Sequence, residues 1–256
     1  MNVCIDVGNT TVSVGIFEGD NLVARMTTNT DITKTEEEYA STIINQININ
    51  SIDVSKVDKV IYSSVVPSLN RTLKEAFIKI FGKQPLTIGP GTKTGLSIKV
   101  DNPSEIGNDL IADLVGAKTK YGYPCLIADL GTASKILLLD KTGTFVSCVI
   151  MPGLSLSAAS LSKKAALLPE ATLETPTTIL SKNTISAMNA GIVYGHVDMI
   201  DGLIKRYEKT IGYPCKHILT GGGAIIIQDI VPKDYIYDPN VNLIGLNELI
   251  KKQEVK

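Results

Sequence analysis

The chain has 256 residues, enough for one large domain or two of ordinary size. Hydrophobic residues make up 44% of the chain, aromatic residues make up 5% and tryptophan is missing, so the core must be mostly aliphatic, as in α/β proteins. The formal net charge of −1 provides no basic surplus for binding nucleic acid or an anionic membrane surface.

The four cysteines are widely spaced and form no CxxC pair, which argues against a zinc site or a disulfide framework. The first residues show no pattern of a secretory signal, and apolar runs fall short of the roughly 18 residues that span a bilayer. We therefore expect a soluble protein of the reducing cytoplasm.

A polar turn between two short apolar runs is the first feature along the chain. The runs at 2–5 and 12–17 predict the two strands of a hairpin, and Gly8 between them lets a ligand approach the backbone. The side chains after Gly8 suit phosphate oxygens, and Asp6 could hold a divalent metal such as Mg²⁺. An ordinary hairpin turn explains these residues about equally well. The turn consists of Asp6, Val7, Gly8, Asn9, Thr10 and Thr11.

Periodicity and capping residues predict the elements that follow the hairpin. In chain order these are a strand at 21–26, a helix from Thr35 to about Ile47, a strand at 59–66, a helix capped by Ser68 that runs to Ile80, and a helix that opens at 101–109 and ends near Tyr121. The last helix should present one apolar face, formed by Ile106, Leu110, Ile111, Leu114 and Val115.

The opening pattern then returns. An apolar strand at 124–128 leads into Asp129-Leu-Gly-Thr-Ala133, and two more strands follow at 134–139 and 144–150. The same strand–Asp-x-Gly–strand–turn–strand order in both places favours a duplicated domain over chance recurrence. We therefore predict an α/β fold with two halves, 1–117 and 118–256, each presenting a phosphate-binding hairpin to a central cleft.

Two helices dominate the rest of the second half, at 154–163 and 184–211. Gly191 and Gly195 in the longer helix should let another backbone pack closely. We expect His196 to face outward from this helix and, like His217, to be structural.

A run of three glycines, Gly221–Gly223, follows a predicted strand at 216–220. Because glycine leaves the backbone accessible, this run suits the approach of a flat ligand or of a helix end. A plain strand–helix turn explains it equally well.

Three aspartates stand at turn or helix-start positions: Asp6, Asp109 and Asp129. Phosphoryl transfer needs phosphate donors, a metal site and a base near the acceptor hydroxyl. The two hairpins could supply the donors and the metal-facing carboxylates, which leaves Asp109 to accept the hydroxyl proton. Each aspartate taken alone is more simply a helix cap or a solvated residue. Motifs typical of α/β-hydrolases, zincins and Walker-type NTPases are missing.

Several motifs occur in a characteristic order over nearly the whole chain. They are Asp6-Val-Gly-Asn-Thr10, Asp101-Asn-Pro103 followed by Gly107-x-Asp109, Asp129-x-Gly-Thr-Ala133, Lys182-Asn-Thr184 with Ala190-Gly-Ile-Val-Tyr-Gly195, and Asn242-Leu-Ile-Gly-Leu246. In these motifs the chain resembles type III pantothenate kinases.

The resemblance implies the acetate and sugar kinase/Hsp70/actin fold, with two ribonuclease-H-like halves. It implies a cytoplasmic homodimer that phosphorylates pantothenate with ATP to give 4′-phosphopantothenate, the first step of coenzyme A biosynthesis. A divalent cation and a monovalent cation, K⁺ or NH₄⁺, would be needed.

The resemblance also assigns roles to residues of this chain. Asp109 would be the general base, Asp129 would hold the monovalent cation, and Thr132 would contact ATP. The nucleotide phosphates would lie against Asp6, Val7, Gly8, Asn9, Thr10, Thr11, Val12 and Ser13. The pantothenate site would comprise Gly107, Asn108, Asp109, Leu110 and Thr184.

Three positions depart from the family's usual pattern. Val100 stands where the family has Tyr, Leu110 where it has Arg, and Ser134-Lys135 where it has two hydroxyl residues. Arg is well shaped to hold a carboxylate such as that of pantothenate, so its loss would cost about 1.5–3 kcal/mol of binding. Lys135 could in principle replace the missing charge.

These departures keep two other functions open beside pantothenate phosphorylation. One is a diverged, non-catalytic homologue that binds nucleotide or a protein partner through the same cleft. The other is a kinase that phosphorylates a different hydroxyl substrate.

Overall fold

The computed structural model describes residues 1–89 and 91–254, which group into two compact units. Unit one comprises Met1–Leu96, Asp101–Lys120 and the segment from Asn240 onward, and unit two comprises Ser97–Val100 and Tyr121–Pro239. Both units are discontinuous in sequence. The predicted boundary between residues 117 and 118 concerns the duplicated halves and stays a prediction.

Runs of strands are separated by helices along the chain. The strands are β1 (Asn2–Val7), β2 (Thr11–Glu18), β3 (Asn21–Asn29), β4 (Lys59–Ser64), β5 (Leu86–Thr87), β6 (Ser97–Ile98), β7 (Cys125–Leu130), β8 (Ala133–Leu139), β9 (Thr144–Pro152), β10 (Lys216–Thr220) and β11 (Tyr235–Tyr237). The α-helices are α1 (Glu36–Ile49), α2 (Asn70–Phe81), α3 (Asn108–Tyr121), α4 (Leu154–Lys164), α5 (Thr184–Ile211), α6 (Ala224–Ile227) and α7 (Val241–Glu254). Short 3₁₀ helices lie at Val54–Lys56, Pro67–Leu69 and Pro103–Glu105.

The two units contain sheets of the same design. The strand order is β3-β2-β1-β4-β5 in unit one and β11-β10-β7-β8-β9-β6 in unit two. In each, an antiparallel three-strand meander is extended beside its first strand by two parallel strands. The first sheet read from β3 to β5 thus matches the second read from β9 to β11, and the recurrence predicted from the sequence is confirmed in the topology.

A capping residue explains where the first helix of unit one begins, but not where the second begins. Thr35 forms the predicted capping box with Glu38, because the Thr35 amide donates to Glu38 Oε2 (2.8 Å) and the Glu38 amide donates to Thr35 Oγ1 (3.3 Å). The predicted cap at Ser68 is wrong. Ser68 lies inside a 3₁₀ turn that starts at Pro67, and α2 begins after Leu69 without a side-chain cap.

Helix α3 is more enclosed than its sequence predicts. Every residue from Ile111 to Ala117 is buried, whereas Leu110 is only half-buried, so the expected single apolar face is wrong. The reason is a crossing with α7. A Cβ added at Gly116 would overlap the Val241 carbonyl oxygen, and one added at Gly245 would overlap the Ala112 carbonyl oxygen. The two helices therefore meet backbone to backbone.

Helix α5 has the predicted bounds, from an Asn183 cap to a left-handed Gly212. A Cβ at Gly191 or Gly195 would meet nothing within 4 Å in the part of the chain that the structure describes, so the close packing of another backbone against these glycines stays a prediction. Within that part, α5 and the other helices lack the combination of length and apolar content needed to cross a bilayer.

The α3–α7 crossing predicts a large effect from a single methyl group. Gly116→Ala would place a Cβ against fixed backbone, and we expect it to lower the free energy of unfolding by about 3 kcal/mol or more. Gly202→Ala in α5 is the matched control: its Cβ enters open space, so a gain of about 0.5–1 kcal/mol is expected. Urea denaturation followed by circular dichroism measures both. Equal stability of the two variants would contradict the observed crossing.

Candidate functional site

The first group of polar residues lies at the end of the β1–β2 hairpin in unit one. Asp6 is the last but one residue of β1, within the strand and not in the turn as predicted. The register places Ser13 of β2 and Ser63 of β4 directly beside it, so the three side chains share one face of the sheet. Ser63 is fully buried, and its Oγ has no hydrogen-bond partner among the described residues.

The turn after β1 is held by its own backbone and by Thr30, the residue that follows β3. The Gly8 amide donates to the Thr11 carbonyl oxygen (2.9 Å), Thr30 Oγ1 donates to the Gly8 carbonyl oxygen (2.7 Å), and the Thr30 amide donates to the Thr10 carbonyl oxygen (2.9 Å). Asn9, Thr10 and Thr11 are exposed. This turn is thus a fixed and accessible platform of amides and hydroxyls.

Two residues predicted to contact the nucleotide have side chains that face the core. Val7 and Val12 are completely buried in the hydrophobic cluster of unit one. They can reach a ligand only through their backbone, because strand residues alternate between the two faces of a sheet.

Asp109 lies in the first turn of α3, also in unit one. The Gly107 carbonyl oxygen accepts from the Ile111 amide (3.2 Å), and Asn108 Nδ2 donates to the Ile88 carbonyl oxygen (3.0 Å). A Cβ at Gly107 would overlap Asp109 Oδ1, so the carboxylate folds back over this glycine. Only glycine leaves room for that arrangement.

Asn242 of α7, the first residue of the motif at 242–246, makes contacts that the sequence did not predict. Its Nδ2 donates to the Asp109 carbonyl oxygen (3.1 Å) and lies 3.3 Å from Oδ1 of the buried Asp113. Five residues further along α7, Asn247 Oδ1 accepts from Asn2 Nδ2 (3.0 Å) at the start of β1. Helix α7 therefore ties the turn that carries Asp109 to the strand that carries Asp6.

The second group lies at the end of the β7–β8 hairpin in unit two. Asp129 is the last but one residue of β7, and the register places Lys135 of β8 and Thr220 of β10 beside it. Like Asp6, it lies in the strand and not in the turn as predicted. Lys135 Nζ is 2.8 Å from Asp129 Oδ2. A Cβ at Gly221, whose φ is +88°, would lie 2.5 Å from Asp129 Oδ1.

The turn after β7 is packed tightly against the end of β9. The Gly153 amide donates to the Thr132 carbonyl oxygen (3.0 Å), and a Cβ at Gly153 would overlap the carbonyl oxygens of both Gly131 and Thr132. The Gly223 amide donates to the Leu130 carbonyl oxygen (2.7 Å). Gly221 and Gly223 thus lie against the end of β7, and the close approach at Gly221 requires glycine, whereas a Cβ at Gly222 would meet nothing within 4 Å among the described residues.

His196 does not face outward as predicted. Its side chain is buried, and its Nε2 lies 2.8 Å from Ser134 Oγ. Burial lowers the pKa of this imidazole, so it is neutral at pH 7. The helix periodicity could not show this, because the hydroxyl partner lies 62 residues away in the chain.

Three of the four cysteines lack the features of a nucleophile. Burial raises the pKa of the Cys125 thiol to about 12 and that of Cys215 to about 11, and it raises the pKa of Cys4 as well. These thiols stay protonated near neutral pH and are poor nucleophiles.

Comparison with known sequences decides the family. A family model described as type III pantothenate kinase matches residues 2–206. A type III pantothenate kinase of Agathobacter rectalis is 36% identical over 257 residues, covering 100% of this chain and 99% of that protein. One of Geobacillus sp. (strain WCH70) is 39% identical over 248 residues, covering 97% of this chain and 96% of that protein. The chain belongs to the type III pantothenate kinase family.

Solved structures confirm the predicted fold class of this kinase. A conserved Baf family protein from Campylobacter jejuni has a TM-score of 0.60 at 19% identity, with 98% of each chain covered. The activator of 2-hydroxyisocaproyl-CoA dehydratase from Clostridium difficile has a TM-score of 0.58 at 15% identity, covering 100% of this chain and 98% of that one. With its two matching sheets, the type III pantothenate kinase chain has the actin/hexokinase/sugar kinase-like fold.

The residues predicted for the pantothenate site lie at the starts of two helices. Thr184 is the first residue of α5 in unit two and is exposed, while Gly107–Leu110 begin α3 in unit one. Val100 and Leu110, where the family has Tyr and Arg, are both half-buried. Neither can supply the charge of the missing Arg.

The two predicted cation sites differ in how well their residues fit an ion. Among the described residues, no group of three or more His, Cys, Asp or Glu side chains is arranged so that it could bind a metal ion. Mg²⁺ in kinases needs only one or two carboxylates together with substrate phosphates, so Asp6 beside two serine hydroxyls fits it. Asp129 does not fit a monovalent cation, because the Lys135 ammonium already lies against its carboxylate.

Proposed function

We propose that the protein transfers the terminal phosphoryl group of ATP to the hydroxyl of pantothenate, giving 4′-phosphopantothenate in the first step of coenzyme A biosynthesis. The observation that carries this proposal is family membership over the full length of the chain, with the aspartates Asp6 and Asp109 retained. The kinase class is established by the family. The residue roles below are our proposal.

The β1–β2 turn is the proposed nucleotide-phosphate site. Phosphoryl transfer depends on positioned donors and on neutralisation of charge more than on covalent chemistry. The backbone at Gly8 and the exposed Thr10 and Thr11 offer such donors on a turn fixed by hydrogen bonds. Asp6 would hold Mg²⁺ when the nucleotide is bound, and the ion would neutralise phosphate charge. Thr132, in the matching turn of unit two, is the proposed second contact to ATP.

Asp109 is the proposed general base. Its carboxylate would accept the proton of the substrate hydroxyl as that oxygen attacks the phosphorus, a role typically worth 10²–10⁴-fold in rate. Gly107 gives the carboxylate room, and Asn242 fixes the backbone from which it projects. The proposed base is thereby pre-positioned by its neighbours in unit one.

The acceptor site is proposed to comprise Gly107, Asn108, Leu110 and Thr184. Leu110 is the specific observation that favours a second candidate, a kinase for a different hydroxyl substrate or a non-catalytic nucleotide-binding homologue. Leucine offers no partner for the pantothenate carboxylate, whereas the family's Arg does.

A cytoplasmic homodimer is also part of the proposal. Supporting it, a groove of about 690 Å³ lies between α4 and α5, lined by Leu156, Leu161, Gly191, Ile192, Gly195 and Met199. Leu156 and Leu161 are exposed, and the two glycines leave space for another backbone. A second copy of the chain is the proposed occupant.

Sedimentation equilibrium should then give twice the 27.4 kDa mass of one chain, and a mass equal to that of one chain would contradict the proposed homodimer.

Phosphorus NMR tests the function directly. Purified protein with ATP, Mg²⁺ and K⁺ should convert pantothenate to a phosphomonoester, in preference to other small alcohols. Asp109→Asn should lower the turnover number by at least about 100-fold while ATP affinity stays the same, because the base is lost and the nucleotide contacts remain.

Asp53→Asn is the matched control for that variant. Asp53 is an exposed cap in the same unit, and Asn caps equally well, so turnover should not change. If Asp109→Asn keeps wild-type turnover, the assignment of the base is wrong. If ATP binds but no alcohol is phosphorylated, the non-catalytic alternative replaces the kinase.

Leu110→Arg tests the acceptor site. If position 110 faces the pantothenate carboxylate, the new guanidinium should lower KM for pantothenate by roughly tenfold to a hundredfold, the equivalent of one charge-assisted contact. Leu110→Gln, polar but neutral, should not reproduce this gain. An unchanged KM in the Arg variant would show that position 110 is not the carboxylate anchor.

A further inference from the structure

Lys135 occupies a position that the fold itself does not require to be charged. In unit two the register pairs Asp129 of β7 with Lys135 of β8. In unit one the equivalent aspartate, Asp6, is paired with Ser13 at the same place in the hairpin. The hairpin of unit one forms with a serine at this position. Folding therefore does not explain why the equivalent position in unit two holds a long cationic side chain.

The lysine ammonium lies in an ion pair of well-defined geometry. Lys135 Nζ is 2.8 Å from Asp129 Oδ2, and only 15% and 12% of the two side chains are exposed. The other carboxylate oxygen, Oδ1, is packed against the backbone at Gly221. A charged pair with so little solvent around it is screened weakly by salt and is costly to break.

The chemistry of that ammonium matches the ion that the family resemblance assigns to Asp129. An alkylammonium carries one positive charge and three N–H donors, and it differs from NH₄⁺ only in one substituent. We propose that Lys135 supplies, from within the chain, the single positive charge for which the family resemblance implies a K⁺ or NH₄⁺ ion at Asp129. The enzyme then works without added monovalent cation. This inference rests on the proposed kinase function.

The ion pair also weakens the other role suggested for Lys135, that of holding the pantothenate carboxylate. An ammonium at hydrogen-bond distance from Asp129 has its charge largely balanced. Binding a second carboxylate would require it to leave or share this partner. The ammonium of Lys135 is covalently attached to the backbone beside Asp129, which gives it a high effective concentration at that carboxylate. A dissolved cation therefore competes poorly with it.

Two measurements test the proposal on the full-length protein. The first is the rate of phosphoryl transfer with and without K⁺, with tetramethylammonium holding the ionic strength at about 0.1 M so that screening is constant. The wild-type rate should change by less than about twofold, whereas Lys135→Thr, which restores a hydroxyl, should be activated by K⁺ by about tenfold or more. Rescue by K⁺ separates a missing charge from simple structural damage.

The second measurement does not depend on turnover. Thermal unfolding of the protein with ADP and Mg²⁺ should occur at the same temperature in K⁺ and in tetramethylammonium for the wild type. For Lys135→Thr, K⁺ should raise the unfolding temperature, because an ion that binds only the folded state stabilises it. Lys205→Met is the matched control: Lys205 pairs with Asp201 on the exposed face of α5, and its loss should create no response to K⁺.

The outcomes separate this inference from the proposed function. Absence of phosphoryl transfer under every condition would overturn the kinase proposal, while the unfolding temperatures would still test Lys135. Strong activation or stabilisation of the wild type by K⁺ would overturn the internal-cation proposal, and so would a folded Lys135→Thr protein that ignores K⁺. If that variant does not fold, the wild-type response alone decides.

Discussion

The register of the two β-hairpins governs what each half of the molecule can do. In both sheets an aspartate is the last but one residue of the first strand, and the pairing with the neighbouring strands determines which side chains lie directly beside it. A slip of one residue would send the aspartate into the apolar core, because side chains alternate between faces. The buried valines on either side of the first turn hold that register in place.

The same backbone design then carries different chemistry in the two copies. Asp6 has serines directly beside it on both neighbouring strands, and we propose that it holds a divalent cation when nucleotide is bound. Asp129 has Lys135 on one side and Thr220 on the other, a setting in which its charge is balanced within the protein. The two sheets thus place equivalent aspartates beside different cross-strand neighbours, which is why we propose different roles for them.

Helix packing connects this register to the proposed base. Gly116 and Gly245 allow α3 and α7 to touch through their backbones, and α7 in turn is bonded to the start of β1 through Asn247. Asn242 of α7 donates a hydrogen bond to the backbone of Asp109, so the position of α7 also fixes the turn that carries Asp109. Because backbone contacts leave little freedom to shift, the base is positioned by rigid elements and not by a loop.

The sequence predicted those features that are encoded locally. The Thr35 capping box, the bounds of α5 and the repeated strand order were read correctly, because each depends on nearby residues or on internal comparison. The family motifs drew attention to Asp109 and Asp129.

Features that depend on partners distant in sequence were missed. His196 was predicted to face outward, whereas it is buried beside Ser134, and the close backbone contact at Gly116 and Gly245 was not predicted. Asn242 is 133 residues from Asp109, and a single sequence contains no signal for that contact.

Amide hydrogen exchange with and without a bound nucleotide tests most directly the claim that the β1–β2 turn binds phosphate. With saturating ADPNP and Mg²⁺, we expect the amides of residues 8–13 to exchange more slowly. The amides of the ordinary turn at 141–143 serve as the control and should exchange at an unchanged rate. An unchanged exchange rate at residues 8–13 while nucleotide is demonstrably bound would contradict phosphate binding by the β1–β2 turn.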